Sequence, residues 1–232
     1  MEKRVLLIGN DEGLPGVKVD IENYKRFFKS PIGGAWLDSE FITKLNVSRL
    51  DLLKEIQRLK IQSLDYLIVI FSGHGGQMRE TVFELNPNGD KLNESEIRNI
   101  CNRQLNIFDC CRAYPQRLFE GSVYKAVTET LTDFTIRRKF ENRILESIHQ
   151  EVLLYACSIG EVANDTSQGG VYSKYLIQSS IPLTKTKYRL VGSAHQAASL
   201  LVTNDFPKQH PDSVLPRCLS EQQLIIGINP EE

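Results

Sequence analysis

A histidine and a cysteine, each following an apolar run, are the residues of this 232-residue chain whose types and spacing could do chemistry. His74 lies between glycines in the stretch IFSGHGG, residues 70–76, and Cys111 lies 37 positions further on in IFDCCRA, residues 107–113. A thiol is a weak nucleophile at neutral pH, and an imidazole that takes its proton makes it a strong one. The pair predicts nucleophilic catalysis if the fold brings the two side chains together.

The residues next to this pair have predicted roles as well. The glycines around His74 predict a tight turn that a substrate backbone can approach closely. The N–H groups of Gly75 and Cys111 are then candidate donors to a developing oxyanion. Neighbouring residues of a strand point to opposite faces, so only one of Cys110 and Cys111 can face His74. Singly, each signal is weak, because a strand-end histidine is more often structural and a strand cysteine is usually packed.

Buried strands have to position these residues, and the apolar pattern predicts several of them, separated by helices. A Ser48 N-cap with Asp51 three residues later predicts one helix start, and Asn93 with Glu96 predicts another. The predicted strands are 4–9, 65–73, 105–109, 151–157 and 188–193, with a strand and turn over 82–92, and the predicted helices begin at 20, 48, 93 (to about 103) and 169 (to 180).

Apolar strands alternating with amphipathic helices indicate an α/β fold, a mostly parallel sheet with helices on its faces. In such sheets the ligand site lies beyond the carboxyl ends of the strands, where His74 and Cys111 are both expected. We predict one domain over 1–232 with its core at about 4–193. A polar, charged segment over 112–150 is predicted as a loop, and 194–232 as a C-terminal extension.

Composition excludes several classes of function. The net charge is −1, with 41% hydrophobic and 25% charged residues, so no nucleic-acid footprint is present. No apolar stretch approaches the roughly 18 residues that span a bilayer, and the first residues lack the pattern of a signal peptide. We therefore expect a cytoplasmic protein without nucleic-acid or membrane partners. Five cysteines without a CxxC pair argue against a disulfide framework or a zinc ribbon, and no metal site is predicted.

These motifs resemble those of the caspase and metacaspase clan of cysteine endopeptidases, especially its small prokaryotic members. The resemblance implies a caspase-like three-layer sandwich and catalysis by a His74–Cys111 dyad. In the second motif of the clan the nucleophile is the cysteine two places after the position of Asp109, which selects Cys111 and leaves Cys110 as a packed neighbour. The stretches that carry the resemblance are DYLIVIFSGHGG (65–76), NIFDCCRA (106–113) and YACSIGEVANDTSQGGVYSKYL (155–176).

The resemblance also bears on specificity. Animal caspases hold a substrate aspartate with arginines, and the matching positions here are Leu14 and Asp165. Metacaspases use carboxylates to hold Arg or Lys, and one of these matches Asp20. Asp20 and Asp165 therefore predict cleavage after Arg or Lys, with Glu161 standing in for an acidic residue that metacaspases have at Gly160. The alternative is that Asp20 is a helix N-cap and Asp165 a turn residue.

Residues 112–150 occupy the place of the processing and substrate-binding loops of the clan. If basic residues are preferred, Arg117, Arg137, Arg138 and Lys139 are candidate self-cleavage points, and a solvated helix face is the alternative. No cofactor is predicted. Calcium activates some metacaspases, but no acidic cluster indicates calcium binding here. The other histidines, His149, His195 and His210, lack a matching context and are interpreted as structural.

The expected partner is a protein or peptide substrate, together with an activating partner or small signalling molecule if the enzyme is gated. Prokaryotic relatives often act in defence or programmed cell death, so the resemblance implies an activated effector in such a pathway. The alternative from another class is a caspase-like regulatory or scaffold module with little or no peptidase activity. Because the chain retains both His74 and Cys111, the sequence favours the enzyme.

Overall fold

The computed structural model describes residues 1–114 and 134–232. Short 3₁₀ turns lie at Asp38–Glu40, Glu94–Ile97 and Ser220–Gln222. The helices are α1 (Gly16–Lys29), α2 (Arg49–Ile61), α3 (Phe134–Glu146), α4 (Val171–Ser179) and α5 (Val191–Asp205). The strands are β1 (Lys3–Gly9), β2 (Phe41–Leu45), β3 (Tyr66–Ser72), β4 (Gly75–Gln77), β5 (Thr81–Glu84), β6 (Lys91–Asn93), β7 (Arg103–Asp109), β8 (Gln150–Tyr155), β9 (Asp165–Thr166), β10 (Gly169–Gly170), β11 (Tyr188–Leu190), β12 (Asp212–Val214) and β13 (Ile225–Ile228).

A six-stranded sheet in the order β12-β8-β7-β3-β1-β2 forms the centre of the fold. All its pairings are parallel except that of β12 with β8, which is antiparallel. The interior strands are apolar runs buried on both faces, as a parallel sheet covered by helices requires. This confirms the predicted α/β class and the four central strands.

Two hydrophobic clusters, one on each face of the sheet, complete three layers. Alternate residues of β1 divide between them, with Val5 and Leu7 in one cluster and Leu6 and Ile8 in the other. The first cluster includes side chains of α1, α3, α4 and α5, and the second those of α2 and the β5–β6 hairpin. The sandwich therefore has four helices on one face, and one helix with a small hairpin on the other.

The ends of three predicted helices can be compared with the structure. Ser48 is the N-cap of α2, and its hydroxyl accepts the Asp51 N–H at 3.1 Å, as predicted. The helix expected from residue 20 begins at Gly16, after Pro15, so the interpretation of Asp20 as an N-cap is wrong. The helix expected over 93–103 ends as a 3₁₀ turn at Ile97, and Asn99, with a φ of 51°, carries the chain out of it.

The C-terminal part of the chain differs most from expectation. The strand predicted over 188–193 stops at Leu190, and α5 follows, with Val191, Ala194, Ala198 and Val202 buried on one face. Residues 194–232 supply most of α5, the edge strand β12 and the buried strand β13, and so belong to the core rather than to an extension.

Within the segment predicted as a loop over 112–150, α3 is a regular helix whose apolar face is buried. None of the helices in the two described ranges is both long and apolar enough to cross a membrane.

Candidate active site

The register of the central sheet brings the two chemical motifs to one edge. β3 and β7 are parallel neighbours, and Ser72 lies opposite Asp109. His74 and Cys111 each follow two residues after this pair. The Gly73 N–H also donates to the Asp109 carbonyl at 3.1 Å, so the pairing continues past the strand ends. Both motifs therefore leave the sheet side by side.

Gly75 is the residue through which the two motifs touch. A Cβ atom at Gly75 would lie 2.8 Å from Cys110 Sγ and 3.0 Å from the Cys111 carbonyl oxygen. Any side chain here would force the two segments apart. The glycine expected to allow close approach thus serves first to pack the histidine loop against the cysteine loop.

The orientation of His74 is set by a main-chain carbonyl. His74 Nε2 lies 2.7 Å from the carbonyl oxygen of Glu12. A carbonyl can only accept, so Nε2 carries the proton, and Nδ1 is the unprotonated nitrogen of the neutral ring. The imidazole is therefore held in the tautomer that leaves Nδ1 free to act as a base.

The two adjacent cysteines lie in different environments. Cys110 is buried in the core, with 2% of its surface exposed, as expected for the packed member of the pair. Cys111 is partly exposed, and its Sγ donates to the Ala163 carbonyl at 3.8 Å. Burial raises the pKa of the Cys111 thiol, and the negative charge of Asp109 acts in the same direction. Nucleophilic chemistry at Cys111 therefore needs a base to take its proton.

Two carboxylates are buried directly beneath this edge. Asp20 accepts the Ser72 hydroxyl at 2.7 Å and the Gly170 N–H at 2.9 Å. Asp109 accepts the N–H of Ser173, in the first turn of α4, at 2.9 Å. Burial raises the pKa of both groups, that of Asp109 to about 6, and the charge of Asp109 raises the pKa of Asp20 further.

Asp165 extends this acidic group towards His74. Its Oδ2 accepts the Gly16 N–H at 3.2 Å, and its carboxylate is half-buried. Burial raises the pKa of Asp165, whereas the N–H groups of Gly16 and Thr166, and the nearby His74 ring when it is protonated, oppose that rise. The charge of Asp165 also raises the pKa values of Asp20 and Asp109, which places the three aspartates in one electrostatic cluster.

The third predicted specificity residue, Glu161, has other partners. Its carboxylate lies 2.7 Å from His210 Nδ1 and accepts the His210 main-chain N–H at 2.8 Å. It also accepts the Ser158 N–H at 3.3 Å. Glu161 therefore ties the C-terminal segment to the loop after β8, while Asp20 and Asp165 lie in the cluster described above.

The remaining histidines are accounted for by their surroundings. His195 is buried, and its Nδ1 lies 2.8 Å from the Tyr172 hydroxyl. Burial lowers the pKa of His195 to about 4. His149 is exposed on the surface, and His210 is paired with Glu161.

The basic residues considered for self-cleavage fall in three situations. Arg137 lies within α3, and its guanidinium donates to both carboxylate oxygens of Glu40, at 2.7 and 2.6 Å. Arg138 is exposed and Lys139 partly exposed on the same helix. Arg117 lies outside the described residues. The segment bearing Arg137 is thus a folded helix that is bound to the rest of the domain.

Sequence reasoning missed three groups of this site. The Glu12 carbonyl is main chain, so no side-chain pattern could have indicated it. Ser72 and Asp109 end the paired strands β3 and β7, and the signal for them was present: polar residues at the carboxyl ends of two apolar runs. In the sequence motif, Asp109 serves only to locate the nucleophile two residues later.

Comparison with known proteins identifies the family of the chain and agrees with its fold. The family model of the caspase domain matches residues 2–213, and the chain therefore belongs to the caspase domain family of cysteine peptidases. Caspase-1 from Spodoptera frugiperda has a similar fold, with a TM-score of 0.64 and 13% identity over 98% of this chain and 90% of that one. A protein from Geobacter sulfurreducens has a TM-score of 0.59 and 16% identity over 92% and 93% of the two chains. No curated protein sequence matches the chain.

Proposed function

We propose that this protein is a cysteine endopeptidase in which Cys111 is the nucleophile and His74 the general base. The observation that carries the proposal is the pairing of β3 with β7, from which both motifs emerge side by side, with His74 in the tautomer that leaves Nδ1 unprotonated. Membership of a cysteine peptidase family supports the same chemistry.

The reaction divides into two half-reactions. His74 Nδ1 takes the thiol proton, and the Cys111 thiolate attacks the scissile carbonyl to form a carbon–sulfur bond. The tetrahedral intermediate collapses to a thioester as the imidazolium gives its proton to the leaving amine. His74 then takes a proton from a water molecule that attacks the thioester, and the carboxylic acid product and the free thiol are released.

The oxyanion donors proposed for both half-reactions are the N–H groups of Gly75 and Cys111. The Glu84 N–H donates to the His74 carbonyl at 3.0 Å, so His74 and Glu84 are a hydrogen-bonded pair. Because hydrogen-bonded and non-hydrogen-bonded pairs alternate in an antiparallel ladder, the next pair, Gly75 and Phe83, forms no hydrogen bonds with each other. The Gly75 N–H is therefore not used within the β4–β5 ladder, which supports its assignment as a donor to the intermediate.

The proposed specificity is for Arg or Lys before the scissile bond. Asp20, Asp109 and Asp165 form a cluster of like charge, and two of the three are buried. In the part of the chain that the structure describes, hydroxyl and N–H groups are the partners of the two buried carboxylates, and no cation is paired with them. A guanidinium or ammonium group that entered would therefore gain strong charge-assisted bonds. An aspartate side chain would be repelled.

We further propose that the peptidase is gated. The N–H groups of Gly170 and Ser173 occupy the carboxylates of Asp20 and Asp109, and the Cys111 thiol donates to Ala163. Substrate entry then requires the segment around Gly170 to move, driven by the substrate or by an activating partner or small signalling molecule. A place in a defence or cell-death pathway is proposed from the resemblance to prokaryotic relatives alone.

Fluorogenic peptides and three variants test the proposal. Peptides ending in Arg or Lys should be cleaved and those ending in Asp should not. Cys111→Ala and His74→Ala should abolish turnover, whereas Cys110→Ala should keep it, with thermal unfolding used to show that each variant is folded. Turnover that survives Cys111→Ala in folded protein would exclude the mechanism. A preference for Asp-ending peptides would overturn the specificity.

A further inference from the structure

Asn10 is a buried asparagine in the turn between β1 and α1, with 1% of its surface exposed. Its side-chain Oδ1 accepts the N–H of Glu12 at 3.2 Å, and its Nδ2 donates to the carbonyl of Glu84 at 3.1 Å. Its main-chain N–H donates to Ser72 at 3.1 Å, which ties the turn to the end of β3. Both ends of the amide are therefore used, one as an acceptor and the other as a donor.

The two residues whose main chain Asn10 binds, Glu12 and Glu84, also bind His74 through their other main-chain groups. The Glu12 carbonyl lies 2.7 Å from His74 Nε2, and the Glu84 N–H donates to the His74 carbonyl at 3.0 Å. The histidine is thus part of a ring of four hydrogen-bonded residues: His74, Glu12, Asn10 and Glu84. One half of this ring fixes the backbone of His74, and the other half fixes its imidazole.

We propose that Asn10 is the positioning residue for His74. By holding the Glu12 main chain through its N–H, Asn10 positions the Glu12 carbonyl, which keeps the ring proton on Nε2 and leaves Nδ1 as the base. The consequence for catalysis rests on the function proposed above. The amide presents both the acceptor for the Glu12 N–H and the donor for the Glu84 carbonyl, whereas a carboxylate of the same size has no donor. Gly73 strengthens the arrangement, because a Cβ there would lie 3.0 to 3.1 Å from backbone and side-chain atoms of Asn10.

The primary test is the tautomer of His74, measured by ¹⁵N NMR of histidine-labelled protein and assigned by its loss in His74→Gln. In the unaltered chain the neutral ring should carry its proton on Nε2. Asn10→Ala removes both bonds of the amide and should populate both tautomers. Asn10→Asp keeps an acceptor for Glu12 and loses only the donor to Glu84, so its shift should be smaller.

Asn86 offers a matched control. It is also buried, with 6% exposed, and its side chain donates to Val47 at 2.9 Å and accepts the Asn88 N–H at 3.0 Å, in the turn between β5 and β6. Asn86→Ala should affect stability, and it should leave the His74 tautomer unchanged. An unchanged tautomer in both Asn10 variants, or an equal change in Asn86→Ala, would overturn the proposal.

Kinetics provide a second readout. With an Arg-ending peptide, Asn10→Ala should lower kcat by about 10- to 100-fold, the scale on which outer partners of functional histidines act. KM should change little, because Asn10 does not contact the acidic cluster through its side-chain bonds. A rise in KM at constant kcat would contradict the positioning role. If the unaltered chain cleaves nothing, the proposed function fails, and the NMR measurement still decides the role of Asn10.

Discussion

At the scale of single residues, the electrostatics of the site depend on two buried carboxylates, Asp20 and Asp109. Their partners are a hydroxyl and main-chain N–H groups, which satisfy hydrogen bonds and do not neutralise charge. Two carboxylates in one low-dielectric region favour protonation of at least one of them, which is why burial raises both pKa values. Under the specificity proposed above, a bound guanidinium or ammonium group would take the place of the proton that this pair holds.

The raised pKa of Asp109 predicts a specific dependence of stability on pH. Its pKa is about 6 when folded against 3.8 as the ordinary value, so its contribution is fully present below pH 3.8 and is lost as the pH rises through about 6. Asn cannot ionise, so the unfolding free energy of Asp109→Asn relative to the unaltered chain should rise by roughly 2 kcal/mol from about pH 4 to pH 7.

Urea unfolding of both proteins across this pH range measures the difference directly. Carboxylates that do not interact with Asp109 titrate equally in the two proteins and cancel. Loss of the Asp109 charge also lowers the pKa of Asp20, which adds to the difference in the same direction. Asp51→Asn is a suitable control, because Asp51 lies exposed at the start of α2 and its lowered pKa predicts the opposite sign. A relative stability of Asp109→Asn that does not rise with pH would contradict the prediction, because it would show that folding does not raise the pKa of Asp109.

At the scale of elements, one buried glutamine joins the ends of the loop that runs from β8 to β9. Gln209 has no exposed surface, its Nε2 donates to the Ala156 carbonyl at 2.9 Å, and its Oε1 accepts the Asn164 N–H at 3.0 Å. The loop between these points contains Ala163, which accepts the Cys111 thiol, and Asp165 follows it. The C-terminal segment thus fixes a loop on which both the thiol and the acidic cluster depend.

Gln209→Leu should therefore loosen that loop. It leaves the buried Ala156 carbonyl without its donor, at about 1–3 kcal/mol for a buried group left unpaired, and removes the acceptor of the Asn164 N–H, which lies in a partly buried position. We expect a lower unfolding free energy and faster hydrogen exchange at the Asn164 amide. Gln178→Leu, on the exposed face of α4, should change stability by no more than about 0.5 kcal/mol. Unchanged exchange at Asn164 in Gln209→Leu would refute this role.

The elements that could be predicted from sequence are those whose burial leaves a pattern in the residues. The interior strands β1, β3 and β8 each contain a continuous apolar run, and in β7 only Asn106 interrupts the run from Leu105 to Phe108, so their pattern is strong. β2 is not predicted because Phe41–Leu45, with the sequence FITKL, is a short strand at the edge of the sheet in which no residue is fully buried. α5 was missed because its buried stripe includes Ala194 and Ala198, whose small side chains give little periodic signal.

The residues of the candidate site also fall into those that the sequence pattern could locate and those that it could not. His74 and Cys111 could be placed because strand ends in a parallel sheet meet at one edge. The roles of Glu12, Asn10 and Gln209 depend on main-chain atoms or on contacts between residues distant in sequence. Such contacts are set by the packing of the whole chain and leave no local spacing to detect.

At the scale of the whole molecule, residues 220–224 pack against the core and contact α3 and the start of β8. Arg143 of α3 donates to the carbonyls of Ser220 and Gln223, at 3.1 and 2.8 Å. Gln150 at the start of β8 donates to Gln222 at 2.7 Å and accepts the Leu224 N–H at 3.2 Å. The C-terminal segment thereby holds together α3 and the strand that follows it.

Four charged side chains connect α3 to β1 and to the 3₁₀ turn at Asp38–Glu40. Lys3 of β1 is fully buried, with its Nζ 3.2 Å from Glu141 and 4.1 Å from the Trp36 ring centroid. Burial lowers the pKa of Lys3 to about 8. Arg137 joins Glu141 at 3.0 Å to Glu40, so two cations and two anions share one site. This network holds the helix that was predicted as part of a loop.

The central claim is that the sheet brings Cys111 and His74 together as a working pair, and covalent labelling of the intact protein tests it most directly. A peptide ketone ending in Arg, with a leaving group that a thiolate displaces, should add once per chain, at Cys111, as read by intact mass and peptide mapping. His74→Gln should slow the addition strongly, and an Asp-ending analogue should react far more slowly. Modification of Cys110 or Cys157 instead, an unmodified Cys111 at saturating reagent, or a rate indifferent to His74 would contradict the account.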